Sequence, residues 1–417
     1  MATHRTLVVG GGVIGLCCAY FLARRGVDVT VLERDEIGKG ASFGNAGTIS
    51  PGHPPINRPG RIREAIRQML NPTSPLYVAP RWDPALAKWL WAFSRKCTSA
   101  HVDKCMRVMA PLGREAVDEF SRLVEHEALE CEYTPGGYYE VCRTPAGAVR
   151  TRHEVELLRE HGYSAVTLTG GALKEREPTL AAGTSGGAYF PEAATCHPYR
   201  FVLEVAERTS RIGGQLLTGR AVAELVDRRG TVAGVRMADG EVIEADSVVL
   251  ATGAHSPQLA RKLGLDLPIQ PGKGYHRDLG MGDGGAPNLQ VPCVLSESSV
   301  FCTPLDGFVR FAGTMEFSGL NLRMRKGRLE QLTKAAGQYI EGVGDSAPIS
   351  EWCGLRPVTS DGLPIIGPVP GRDGLYLAMG HGMLGLTLGP ITGRVIAEYI
   401  QDGSPSVEIA ALSPERF

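Results

Sequence analysis

The chain has no Cys-x-x-Cys pair and no Cys/His cluster at metal-ligand spacing, although it holds 10 cysteines. That excludes the common zinc and iron–sulfur frameworks, and no metal is expected. The cysteines are scattered, which suits reduced thiols in a cytosol and a cytoplasmic location. Cys17 and Cys18 fall in one apolar helix and are read as small packing residues. A net charge of −1 announces no polyanion-binding surface, so nucleic acid is excluded as a partner. No apolar run approaches the roughly 18 residues that span a bilayer. A strand begins close behind Met1, and Gly10 to Gly12 would interrupt any targeting helix, so no signal peptide is expected. Paired catalytic carboxylates and a Ser-His-Asp pattern are also missing.

What is present starts at Thr6–Glu33, TLVVGGGVIGLCCAYFLARRGVDVTVLE. Thr6 to Val9 is a short buried strand. Gly10, Gly12 and Gly15 form G-x-G-x-x-G, and a helix runs from Val13 to Arg25 and stops at Gly26. Asp28 to Leu32 is a second strand, ended by Glu33. This is the pattern of a dinucleotide site. The glycines permit a tight turn and close backbone approach, the helix N-terminus at Val13 and Ile14 faces phosphate, and Glu33, with Arg34 beside it, meets ribose. Glu33 alone does not separate FAD from NAD. With 43% hydrophobic residues over 417 positions, two domains or one two-lobed unit are expected.

The next stretch, Gly38 to His53, is rich in small residues and hydroxyls. It reads as a loop that brings backbone N–H groups to phosphate and ribityl oxygens. Gly40-Ala41-Ser42-Phe43-Gly44-Asn45-Ala46-Gly47 with Ile49-Ser50-Pro51 resembles the signature of the D-amino-acid dehydrogenase branch of the D-amino-acid oxidase-like flavoproteins. That family includes glycine oxidase, sarcosine oxidase and hydroxyproline-oxidising dehydrogenases. The resemblance implies FAD, with Ser42, Asn45, Ala46, Gly47, Thr48 and Ile49 along the pyrophosphate and ribityl chain.

Helices are expected at Arg61–Leu70, Pro84–Lys96, Val102–Glu127, Thr144–Glu160 and Pro198–Ile212, with a turn at Lys174–Pro178. Trp82, Trp89 and Trp91 form an aromatic patch that fits core, a partner interface or a membrane surface. Arg61-Ile62-Arg63 and Arg323-Met324-Arg325-Lys326 read as solvated helix faces. Strands follow at Gln215–Leu217 and Ala221–Val226, the latter holding Val222, which is counted with the cofactor residues. A hairpin turns at Asp239-Gly240. Ser247–Leu250 ends in Ala251-Thr252-Gly253, which resembles the Ala-Thr-Gly element of two-βαβ flavoproteins and favours FAD over NAD. Val294–Ser299 and Phe301–Thr314 alternate as antiparallel strands that would roof the flavin. Leu320 to Ile340 reads as helix.

In the C-terminal part, Arg356 stands in an apolar, small-residue segment, Trp352 to Pro368. A guanidinium so placed needs an anionic partner, either a structural ion pair or a bound carboxylate. W-x-G-x-R-P followed by D-G-x-P-x-x-G resembles the family segment whose arginine holds the substrate α-carboxylate, and Arg356 falls on that position, with Gly354 beside it. A strand at Leu375–Ala378 enters Gly380-His381-Gly382-Met383-Leu384-Gly385-Leu386-Thr387, and a helix is expected from Pro390 to Tyr399. The resemblance sets this turn against the flavin, with His381 in a positioning role. It puts Tyr275 over the ring face; read from the residues alone, Tyr275 is equally a core tyrosine. His53 is a further pocket candidate.

The fold class expected is α/β: an FAD-binding Rossmann-like βαβ domain (1–60, 195–258 and 350–417) interleaved with an α+β substrate domain with a mixed sheet (61–194 and 259–349). The activity implied is oxidation of D-amino or D-imino acids by hydride transfer from Cα–H to flavin N5, with electrons passed to a quinone or respiratory-chain acceptor. Alternatives are an oxygen-using glycine or sarcosine-type oxidase, a flavin-fold subunit with a binding role, and a nicotinamide-dependent dehydrogenase, which the C-terminal turn disfavours. Peripheral contact with the inner face of the membrane is an alternative to a free cytoplasmic protein, and the oligomeric state is open.

Overall fold

The computed structural model describes residues 4–52, 54–69, 74–282 and 286–417. A six-stranded sheet runs in the order 215–217, 28–32, 5–9, 247–250, 375–379, 365–368. Its first five strands are parallel and the last is antiparallel. Apart from exposed Arg5, the central strands Arg5–Val9 and Ser247–Leu250 are buried on both faces, as the apolar runs Leu7–Val9 and Val248–Leu250 require. Helix Val13–Arg24 covers one face and packs on the C-terminal helix Gly385–Asp402. Cys17 and Cys18 are fully buried there as packing residues.

A second, nine-stranded sheet follows the order 350–359, 269–280, 308–317, 300–305, 293–295, 138–142, 186–190, 166–169, with 76–78 added beside 308–317. Long helix Ser99–Glu127 packs on the C-terminal helix. Short strands 48–49, 194–195 and 134–135 form a separate patch that ties the small-residue loop to the rest.

Several elements differ from the sequence expectation. Ile269–Gly280 is one 12-residue strand, although it holds Pro271, Gly272 and Gly274. Pairing on both sides overrides its poor strand composition. Gly170–Arg176 is helical where the residues predict a turn at Lys174–Pro178; Thr169 caps it by accepting from Ala172 N–H at 3.2 Å. The helix expected over Leu320–Ile340 is confined to Lys326–Ala336. Ahead of it, Asn321 accepts from Lys273 Nζ at 2.7 Å and donates to the Ser318 carbonyl, local bonds that compete with a helix. The basic run there is not simply solvated: Arg325 Nε lies 3.5 Å from buried Glu316. The C-terminal helix begins at Gly385 rather than Pro390, and carries the proline inside it. The tryptophan patch divides. Trp89 is core and donates its indole N–H to Val358 O at 3.0 Å, whereas Trp82 and Trp91 face solvent.

Candidate active site

One cavity of about 900 Å³ lies between the two sheets. Its near wall is the glycine turn. Gly15 packs so close that a Cβ there would meet Gly10 O at 1.9 Å. Ser42 Oγ accepts from Val13 N–H at 3.0 Å, which docks the small-residue loop on the helix start. No acidic side chain occupies the first turn, so its positive end is left to a ligand. Glu33 accepts from the N–H of Gly11 at 2.7 Å and of Asp35 at 2.9 Å. These bonds hold its carboxylate at the cavity edge, with Arg34 and Val222 nearby in the same wall.

The small-residue loop is fastened to the large sheet through its carbonyls. Arg310 Nη1 donates to Asn45 O at 3.0 Å and Thr303 Oγ1 to Ala46 O at 2.8 Å. His276 Nδ1 lies 3.2 Å from Gly44 O, which puts the proton on Nδ1. Burial, then Arg310, pulls the His276 pKa down to about 4, so the ring is neutral. Arg310 is itself held by two bonds to Asp278, at 3.0 and 2.9 Å. These supports are not singled out by the sequence reading. The signal available is alternation: Gly272, Gly274 and His276 share one strand face, opposite Arg356, Gly354 and Trp352.

Arg356 stands on that face. Its Nη1 donates to Thr314 O at 2.8 Å, and among the described residues no carboxylate lies within ion-pair distance. The side chain is half-buried, and desolvation lowers its pKa to about 10, which leaves it charged at neutral pH. Thr314 adopts a φ of +66°, a strained conformation for a β-branched residue. Its buried Oγ1 has no hydrogen-bond partner. The C-terminal turn closes the same region. Gly382 N–H donates to Pro357 O at 3.0 Å, and Ser50 N–H donates to Thr387 Oγ1 at 3.1 Å. His381 Nε2 lies 3.0 Å from Thr392 Oγ1, its buried Nδ1 has no partner, and burial drives its pKa down to about 3.

Of the residues picked from sequence, Gly10, Gly12, Val13, Ile14, Glu33, Arg34, Ser42, Asn45, Ala46, Thr48, Val222, Ala251, Thr252, Gly253, Gly354, Arg356 and His381 to Thr387 all line this cavity. Gly15, Gly47, Ile49 and Gly380 stand behind it; Ile49 is fully buried. Tyr275 does not line it. Strand alternation turns Tyr275 to the face opposite Gly274, where its hydroxyl donates to Glu316 at 2.9 Å and its ring lies under Arg328. His53 lies outside the described residues.

A family model described as FAD dependent oxidoreductase (DAO) matches residues 5–399. The chain belongs to this family. The FAD-dependent oxidoreductase is 34% identical over 419 residues to the D-amino acid dehydrogenase of Methylobacterium nodulans, with 99% of each chain covered. It is 32% identical over 420 residues to that of Bradyrhizobium diazoefficiens, again with 99% of each covered. Among solved structures it resembles glycine oxidase from Geobacillus kaustophilus, with a TM-score of 0.80 at 24% identity over all of both chains. It also resembles L-proline dehydrogenase from P. horikoshii, with a TM-score of 0.77 at 19% identity over 100% of this chain and 98% of that one. These two likenesses speak for the fold.

The residues present fit FAD. One cavity is lined by Glu33, by the glycine turn and by the His381 turn. The orphaned Nδ1 of His381 marks a place where a bound group would complete the structure. The oxidoreductase would hold the dinucleotide end with the turn of Gly10 and Gly12 and with Glu33, and the flavin end with the segment His381–Thr387. Among the described residues no group of acids, histidines and cysteines could hold a metal ion.

Proposed function

We propose that this chain is a dehydrogenase of free D-amino or D-imino acids, proline- and hydroxyproline-like substrates included, that passes electrons to a quinone-type acceptor. Arg356 carries the reading. A half-buried, charged guanidinium with one backbone bond and no counterion among the described residues, open to the cavity, is a receptor for a small carboxylate. The names of the relatives that match along nearly the whole chain support an amino acid as its bearer.

Bound FAD supplies the acceptor for the hydride that leaves Cα. The protein's own part is orientation and electrostatics. Arg356 would hold the carboxylate and thereby fix Cα. The low-dielectric cavity favours the neutral amine, the form that can be oxidised. Neutral His381, tied to Thr392, would present Nδ1 as a fixed hydrogen-bonding atom and is not an imidazolium acid near pH 7. The imine product is hydrolysed by water to ammonia and a 2-oxo acid; a cyclic substrate gives a cyclic imine. Solvent-exposed Trp82 and Trp91 support a surface contact with the inner face of the membrane, where a quinone would be met. No helix among the described residues is long and apolar enough to cross a membrane.

The test is an anaerobic screen for loss of flavin absorbance with D- and L-amino acids, D-proline, hydroxyprolines, glycine and sarcosine, followed by admission of air. Bleaching by D-amino or D-imino acids with slow reoxidation is expected. Fast reoxidation with peroxide would make the enzyme an oxidase. Arg356→Leu should raise KM about tenfold or more and leave FAD bound; an unchanged KM would remove the carboxylate assignment.

A further inference from the structure

Arg356 is not the only ionisable group in the cavity that lacks an ion-pair partner of its own among the described residues. Strand Tyr138–Cys142 sends Glu140 into the same space, and Glu154 enters it from helix Pro145–Glu160. Thr151 Oγ1 donates to Glu140 Oε1 at 2.7 Å. No cation among the described residues lies within ion-pair distance of Glu140. Other charges face this end. Arg58, on the loop ahead of helix Arg61–Met69, is half-exposed and lies 3.8 Å from Glu154. Glu297 is consumed by Thr144 N–H, Thr144 Oγ1 and Tyr339 hydroxyl. Arg61 and Arg150 complete the lining.

The sheet register relates Glu140 to the carboxylate anchor. Glu140 pairs with Val294, Val294 with Phe301, and Phe301 with Ala312. Val294, Phe301 and Ala312 also line the cavity. Thr314, the acceptor for Arg356, lies on Ala312's strand. Three strand spacings, about 14 Å across the sheet, therefore separate the backbone of Glu140 from the strand whose Thr314 carbonyl holds Arg356. Arg356 and Glu140 therefore hold separate ends of one cavity, and a substrate that meets both needs a long side chain.

We infer that Glu140, supported by Glu154, is the side-chain recognition group of this enzyme and selects amino acids whose long side chain ends in a cation. The inference rests on the amino-acid reading above. Arg356 is a guanidinium without an anion, and Glu140 and Glu154 are two acids that only half-exposed Arg58 faces at ion-pair distance, through Glu154; a basic amino acid would give Arg356 its carboxylate and Glu140 a cation of its own. Burial, then the neighbouring Glu154 charge, raises the Glu140 pKa to about 7. A cation bound there draws the shared proton off, so binding of a basic substrate tightens as pH rises from 6 to 8, beyond any change seen with a neutral one.

The experiment compares kcat/KM of the FAD-loaded enzyme for D-lysine and D-arginine with that for D-norleucine, a neutral chain of similar length, and with D-glutamate. The expected ratio of D-lysine to D-norleucine is at least about tenfold, because a buried hydrogen-bonding group discriminates against a substrate that leaves it unpaired. Glu140→Gln and Glu140→Leu should each collapse that ratio and remove its rise with pH. A ratio near one, a preference for D-glutamate or D-proline, or a ratio unmoved by both variants overturns the inference while D-amino-acid oxidation stands. A panel in which no amino acid bleaches the flavin overturns both.

Discussion

The guanidinium of Arg356 occupies the space that a side chain at residue 274 would fill. A Cβ added to Gly274 would lie 2.1 Å from Arg356 Nη1 and 2.4 Å from its Cζ. The two residues sit on adjacent antiparallel strands, with Arg356 opposite Gly272 and leaning across Gly274 toward Thr314 O. A glycine at 274 thus aims the arginine. Gly274→Val should displace the guanidinium and raise KM for an amino acid about tenfold or more, comparable with Arg356→Leu, because the charge remains but its bidentate geometry is lost. Flavin absorbance of the purified variant should be close to that of the wild type. A KM equal to wild type would show that Arg356 can serve from another rotamer.

Acid stability follows from the neutral histidines. The pKa of His276 falls to about 4 and that of His381 to about 3, both chiefly through burial. An unfolded histidine titrates near 6.5. Between the folded and unfolded values the unfolded chain binds more protons, so stability is full above about pH 6.5 and is lost as pH falls toward 4. Urea midpoints measured at pH 7, 6, 5 and 4 should fall steadily. His276→Gln should flatten that slope by one proton, whatever it does to the midpoint at pH 7. An unaltered slope would mean that His276 is protonated in the native state.

How much of this is legible in the residues depends on whether a signal is local. The glycine turn, Glu33, and Ser247–Gly253 can be read because strand, turn and helix follow one another within a few positions. Arg356 stands out because a charge in an apolar segment demands a partner. Tyr275 cannot be placed, since the strand Ile269–Gly280 is hidden by its proline and glycines, and without the strand there is no alternation to assign faces. Glu140 is invisible for a related reason. One acid in a short strand has no sequence signature, and only the register of four strands brings it into the cavity of Arg356. Helix Gly385–Asp402 starts ahead of its sequence expectation because Pro390 is a stop signal locally, while packing on Val13–Arg24 sustains the helix through it.

Trp352 supplies a test of the loop that would run beside the ribityl chain. A Cβ on Gly44 would lie 2.0 Å from Trp352 Cε3, and one on Gly354 would lie 2.1 Å from its Cη2. The ring also stacks on His276 at 5.4 Å. It is therefore clamped between two glycine backbones and an imidazole. Gly44→Ala should push Gly44 O off His276 Nδ1 and loosen the loop. The expected result is a lower FAD content after purification, recovered by excess FAD, with KM for the amino acid little changed once loaded. Full FAD occupancy in the variant would mean that Trp352 yields without moving the loop.

The last prediction concerns the helix pair that carries both glycine turns. A Cβ on Gly393 would lie 2.5 Å from the backbone carbon and oxygen of Cys17, so the C-terminal helix and helix Val13–Arg24 touch backbone to backbone. Each helix starts at a turn that lines the cavity, one at Gly12 and one at Leu384. Their spacing therefore sets the distance between the two ends of the cofactor site. Gly393→Val places bulk against main chain, which cannot rotate away, and overpacking of that kind costs about 1–3 kcal/mol or more. The melting temperature should drop, and FAD affinity should weaken with it, since both turns are displaced together. Exposed Gly403, at the end of the same helix, has open space where a Cβ would stand but a φ of +78°, so Gly403→Ala should cost only its local backbone strain and leave FAD affinity intact. Equal loss of FAD affinity in both variants would show that helix stability in general, rather than the approach of Gly393 to Cys17, governs the site.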